Sequence, residues 1–224
     1  MPTSLVTGAN RGIGLELARQ LAARGDDVIA ACRSRSDELD ALGVRVETGV
    51  DVGDDDSVRS FAQRLGDTKI DLLLHNAGIL RMESLEDLDA QSLREQFEVN
   101  AIGPLRLTSL LLPRLQPGSK VVLITSRMGS IGDNGSGGAY GYRMSKAALN
   151  MAGVSLARDL ETREIAVGIL HPGMVATDMT KRFGHGPSMQ TPHDTARMLI
   201  ARIDELDLSR TGSFRHANGE DLPW

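Results

Sequence analysis

Residues 4–14, Ser-Leu-Val-Thr-Gly-Ala-Asn-Arg-Gly-Ile-Gly, decide the fold. A short apolar run passes directly into Gly8, Gly12 and Gly14, and then into a stretch of helical period, Gly14–Arg24. When a strand feeds a helix this way, the helix start turns its unpaired N–H groups and positive dipole end towards an anion. Glycines let the backbone approach that anion, because a Cβ would occupy the space. The competing reading is a turn that only joins strand to helix. Its place at the first strand–helix junction favours a dinucleotide pyrophosphate, with Gly8, Asn10, Arg11, Gly12, Ile13 and Gly14 as the cradle.

The same alternation continues downstream. Asp27–Ala31, Val44–Thr48, Asp71–His75, Lys120–Thr125 and Ala166–His171 join Ser4–Thr7 as strands, and Gly212–His216 is a candidate for a last one. Their nearly unbroken apolar character fits strands covered on both faces, as in a parallel sheet. Ser57–Leu65, Leu93–Leu112 and Ser145–Glu161 carry apolar residues at helical spacing, and Thr191 with Pro192 reads as the start of a final helix. The expected architecture is α/β, a doubly wound three-layer (Rossmann) fold with a parallel sheet of about seven strands, in one domain over residues 1–224. Met128–Gly138, with five glycines, is expected to be a mobile loop.

Composition excludes several functions. Lys and Arg total 25 against 30 Asp and Glu, so the formal charge is −5, with no basic excess to hold a nucleic-acid backbone. No apolar run reaches the ~20 residues of a membrane span, and the first ten residues do not read as a signal peptide. The one cysteine, Cys32, points to a reducing, cytoplasmic setting. No His/Cys cluster has zinc spacing, and Asp54–Asp56 reads as a helix start rather than a metal site. Ser126 and His171 do not make a serine hydrolase, since no serine sits in G-x-S-x-G.

The second strand ends in Ala31-Cys32-Arg33, where sites for the unphosphorylated dinucleotide place a carboxylate on the ribose. A guanidinium there grips a 2′-phosphate instead, which favours NADP(H) over NAD(H), with Arg11 in support. At the other end, Tyr142 and Lys146 lie one helical turn apart, and a nearby ammonium would lower the phenol pKa towards the working range of a general acid–base. Asn100 is marked by Pro104. Proline has no N–H, so the Asn100 carbonyl loses its helical partner, which predicts a distorted helix with a hydrated carbonyl.

Together these segments resemble the short-chain dehydrogenase/reductase family. TGANRGIG matches its glycine loop, HNAG at 75–78 its NNAG, YRMSK at 142–146 its YxxxK and PGMVAT at 172–177 its PG stretch. ACR, VNAIGP and LPW resemble the carbonyl-reductase and C-factor-like branch. The resemblance implies a catalytic tetrad of Asn100, Ser126, Tyr142 and Lys146: Tyr142 exchanges the proton, Ser126 orients the substrate oxygen, Lys146 holds the ribose hydroxyls and Asn100 binds a relay water. It also implies cofactor contacts from Asp51 and Val52 beside the adenine, from Asn76, Ala77 and Gly78, and from Pro172, Gly173, Val175 and Thr177. His75 departs from the first Asn of NNAG and reads as a packed histidine; Tyr140 is a candidate for the pocket wall.

The implied activity is hydride transfer between NADP(H), with NAD(H) possible, and a small carbonyl or alcohol substrate. Asp178–Gln190 is left as a short substrate lid over an open pocket. The family's habit implies a homodimer or homotetramer, and the second face of the helix after Lys146 is a candidate contact. The alternative is a signalling protein that binds the nucleotide on the same fold without turnover.

Overall fold

The structure is a computed structural model and describes residues 1–181, 184 and 189–224. Seven strands form one parallel sheet: β1 (Thr3–Thr7), β2 (Asp27–Ala31), β3 (Arg45–Glu47), β4 (Ile70–His75), β5 (Leu115–Ile124), β6 (Ala166–His171) and β7 (Phe214–His216), in the order β3-β2-β1-β4-β5-β6-β7. Alternation along the strands sorts their side chains between two cores. Leu73, Val121 and Leu123 meet Phe61, Leu107 and Leu149 on one face. Leu72, Leu74, Val122 and Ile124 meet Leu17, Leu21, Leu199 and Ile203 on the other. The result is the three-layer α/β fold expected from the strand–helix alternation.

On one face lie α1 (Gly12–Ala23) and α7 (Pro192–Asp204); on the other lie α3 (Asp55–Arg64), α4 (Ala90–Phe97), α5 (Gly103–Leu111) and α6 (Tyr140–Glu161). A four-residue helix, α2 (Asp37–Asp40), has no apolar period and went unseen in the sequence; Ser36 caps it by accepting from the Leu39 N–H. The starts of α3 and α7 follow their caps. The Asp54 side chain accepts from the Ser57 N–H at 2.7 Å, and Thr191 accepts from the Asp194 N–H at 3.0 Å.

The single helix expected over Leu93–Leu112 is three pieces. A π-helical turn, Glu98–Ile102, separates α4 from α5. The expected distortion is therefore present, at the residues whose carbonyls face the missing N–H of Pro104. The loop after β5 is bonded to the rest of the chain at both ends. The Gly132 N–H donates to the Trp224 carbonyl at 2.7 Å, and Arg143 donates to the Gly137 and Gly138 carbonyls and to Ser136 Oγ.

His75 ends β4 fully enclosed. Its Nε2 lies 2.8 Å from Thr108 Oγ1, whose own proton goes to the Pro104 carbonyl at 2.8 Å, so Nε2 is the donor. Nδ1 is then a buried lone pair without a partner among the described residues. Burial pushes this imidazole down to about 3, against an ordinary value of 6.5. A depressed pKa means that the unfolded chain binds the proton first, so this contribution to stability is complete above pH 6.5 and is lost as the pH falls towards 3. We expect His75→Asn to flatten the pH dependence of urea unfolding within that window, by at most ~1.4 kcal/mol per pH unit. An unchanged slope would contradict this assignment.

Candidate active site

The chain reverses its direction of sheet growth at β1, whose neighbours are β2 and β4, and the crevice opens at the carboxyl ends of β1 and β4. Thr7 joins the two strand ends. Its Oγ1 accepts from the Asn76 and Ala77 N–H groups at 3.0 and 3.1 Å. Asn76 Nδ2 returns bonds to the Thr7 and Gly8 carbonyls. The glycine loop and the Asn76–Gly78 segment thus stand back to back. Gly8 has φ +66°, and a Cβ there would lie 2.9 Å from Ala77 Cα. A Cβ on Gly14 would collide with the Gly8 carbonyl and Asn76 Nδ2.

A cleft of about 950 Å³ runs from Cys32 and Arg33 past the glycine loop to Tyr142 and Lys146. Gly8, Asn10, Arg11, Gly12, Ile13, Asp51, Val52, Asn76, Ala77, Gly78, Pro172 and Thr177 also line it. An elongated cleft with a glycine cradle at the amino end of α1 fits a dinucleotide. Three expected contacts do not reach its wall. Gly14 lies beneath the cradle, Val175 is buried and bridges Gln190, and Gly173 faces His216 and Gln190. Arg33 is exposed and has no acidic partner among the described residues. Arg11, expected to support it, lines the same cleft and pairs with Asp178 at 3.2 Å.

At the far end, Asn100, Ser126, Tyr142 and Lys146 are all buried. Ser126 follows β5 and hydrogen-bonds Tyr142. A Cβ on Gly129 would lie 2.7 Å from the Lys146 carbonyl carbon, so the turn after Ser126 packs directly on α6. Lys146 Nζ sits 5.9 Å from the centre of the Tyr142 ring and donates to the Ile124 carbonyl at 2.9 Å. Asn100 Oδ1 accepts from the Ile79 N–H at 2.8 Å, and its Nδ2 donates to the Ile79 carbonyl and to Ser145 Oγ. Ser145 Oγ in turn donates to the Tyr142 carbonyl at 2.9 Å.

The expected lowering of the tyrosine pKa is not found in the protein alone. Burial pushes the Tyr142 phenol up to about 12, with the Ser126 hydrogen bond acting the other way. Lys146 is itself pushed down to about 8 by burial. Desolvation outweighs the ammonium because both groups lie in the same dry pocket. Tyr140 starts α6 but does not line the cleft. Of the expected lid, Asp178–Gln190, residues 182, 183 and 185–188 lie outside the described residues; Asp178 and Met179 do line the cleft. Sequence reasoning missed Leu80 and Arg81, which also line it. It missed Glu83 as well, whose carboxylate accepts from the Gly141 N–H at 3.1 Å. No motif spacing marks these three.

The short chain dehydrogenase family profile matches residues 2–187. The chain belongs to this family. It is an oxidoreductase of alcohol and carbonyl groups. It is 46% identical over 226 residues to 1-hydroxy-2-glutathionyl-2-methyl-3-butene dehydrogenase of Rhodococcus sp. (strain AD45), covering 100% of both chains. It is 42% identical over 171 residues to the C-signal protein of Myxococcus xanthus, covering 75% of this chain and 100% of that one. Among solved structures, NADPH-bound carbonyl reductase from chicken fatty liver superposes with a TM-score of 0.89 at 29% identity, over 100% of this chain and 98% of that one.

This short-chain dehydrogenase has two tyrosines, so Tyr140→Phe leaves Tyr142 as the only phenol. Ultraviolet titration of that variant without cofactor should show no phenolate below about pH 10, in line with the burial that lifts its pKa. A phenolate appearing near neutral pH would contradict the dominance of desolvation.

Proposed function

We propose that this short-chain dehydrogenase is an NADPH-dependent carbonyl reductase. The observation that carries the reading is that buried Tyr142, hydrogen-bonded by Ser126, and buried Lys146 stand at one end of a dinucleotide-shaped cleft whose other end holds Arg33. Arg33 would grip the 2′-phosphate through paired charge-assisted hydrogen bonds, and the glycine loop would hold the pyrophosphate. Lys146 would leave the Ile124 carbonyl for the ribose hydroxyls. When bound, the nicotinamide supplies the hydride that reduces the carbonyl carbon, or accepts it in the reverse direction.

The chain's own share is orientation and the proton. Ser126 Oγ holds the substrate oxygen, and Tyr142 Oη gives it the proton that completes the alcohol. A phenol kept neutral by burial is ready to donate at physiological pH, so reduction suits the protonation state of the site. Lys146, close enough to neutral pH to exchange a proton, restores the phenol through water at the Asn100 carbonyl, beside the π-turn. The Rhodococcus relative is named for the dehydrogenation of an alcohol and the avian structure for reduction of a carbonyl. Both are one reaction read in two directions. A signalling protein without turnover would have no use for a serine, phenol and ammonium brought together out of water. Exposed Ile102 and Leu105, with exposed Met151 of α6, make these surfaces the proposed contact of a homodimer or homotetramer, which a monomer in light scattering would contradict. The single cysteine supports a cytoplasmic setting.

Oxidation of NADPH with a panel of aldehydes and ketones tests the reading. Tyr142→Phe should lower kcat by roughly 10²–10⁴-fold, and undiminished turnover would remove the mechanism. Arg33→Asp should weaken NADPH by about 10–100-fold with little effect on NADH. Equal losses for both would contradict the 2′-phosphate role.

A further inference from the structure

The helix that carries Tyr142 begins without a side-chain cap of its own. Ala139 precedes it in the left-handed region, at φ +48°, and its side chain offers no acceptor; its carbonyl takes only the Arg143 N–H, at 2.9 Å. That helix start is buried, so its orphan donors need protein partners. Glu83 supplies them from the segment beyond Gly78. Its carbonyl accepts from the Ala139 N–H at 3.1 Å, and its Oε2 accepts from the Gly141 N–H, also at 3.1 Å. Its Oε1 accepts from Ser92 Oγ at 2.6 Å and from Gln96 Nε2 at 2.5 Å. Glu83 is 6% exposed and has no cation partner among the described residues. The charge that faces it is the positive end of the α6 dipole.

We propose that Glu83 is a positioning residue for the reaction, its carboxylate setting the first turn of α6 and so the direction of the Tyr142 hydroxyl. The proposal rests on Tyr142 being the acid–base. Glu83 does not line the cleft and acts only through its neighbours. Tyr142 follows Gly141 directly, and on its other side Asn100 and Ser145 hold its carbonyl. The turn is therefore pinned from both sides. Gly141 permits the close approach, since a Cβ there would collide with Gln96 Nε2.

The site needs a carboxylate rather than any polar group. Gln96 Oε1 accepts from the Arg81 N–H at 3.0 Å, which fixes the amide with its Nε2 towards Glu83. A glutamine at position 83 would turn an NH₂ group either to the Gly141 N–H or to Gln96 Nε2. Both are donors, so either orientation leaves a buried clash, at the helix start in the first case and at Gln96, which packs on Gly141, in the second.

The test is a double-mutant cycle read by kinetics with NADPH. Glu83→Gln should lower kcat by roughly 10–100-fold through misplacement of the phenol. It should leave the dissociation constant of NADPH within about twofold, because the glycine loop and Arg33 lie on other segments and Lys146 stands a full turn beyond the pinned start of α6. In a Tyr142→Phe background the same substitution should cost nothing further. Ser92→Ala, which removes one donor and keeps the carboxylate, should show the same pattern with a smaller loss and serves if Glu83→Gln does not fold. Losses that are as large in the Tyr142→Phe background as in wild type, or that fall equally on NADPH binding, would overturn the proposal. Undiminished turnover in Tyr142→Phe alone would instead overturn the acid–base reading beneath it.

Discussion

One amide joins the working parts of this molecule. Asn100 lies fully buried in the π-turn between α4 and α5 and bonds both backbone groups of Ile79, just past the Asn76–Gly78 segment. Its remaining donor reaches Ser145, and through it the backbone of Tyr142. The floor of the cleft, the interrupted helix and the helix of the phenol are thereby fixed by a single planar group. A buried amide satisfied on all these sides has no alternative arrangement of similar energy, which is what rigidity at a reaction centre requires.

That rigidity matters because the site works against solvation. Burial pushes Tyr142 and Lys146 in opposite directions, both towards the uncharged form: the phenol up to about 12, the ammonium down to about 8. Neither is primed by the other in the protein alone. The protein prepares direction and dryness, and its ligand prepares charge.

The fold was legible because each strand is a short apolar run and each long helix keeps its period; strand and helix ends were off by a few residues, most at β5, whose first half carries Pro117 and Gly118. The π-turn was legible for a sharper reason, the missing N–H of Pro104. Tyr142, Lys146 and the glycine loop were legible because their chemistry fixes their spacing. The tyrosine pKa was misjudged, since a sequence shows the nearby ammonium but not the depth at which both groups lie. The Arg11–Asp178 pair was not legible for a related reason: Asp178 is remote in sequence and comes near only in the folded chain. Glu83 left no mark because its partners, at 92, 96 and 141, are brought together by packing alone.

The claim at the centre of this account is geometric: serine and phenol converge on one substrate oxygen at the carboxyl edge of the sheet. The most direct measurement is a crystal structure of the wild-type protein with NADP⁺ and an unreactive carbonyl analogue. The account predicts the analogue's oxygen within hydrogen-bond reach of both Ser126 Oγ and Tyr142 Oη, and the Lys146 ammonium moved from the Ile124 carbonyl to the ribose. An analogue bound elsewhere, or a Tyr142 hydroxyl turned from that oxygen with Lys146 still on Ile124, would contradict it.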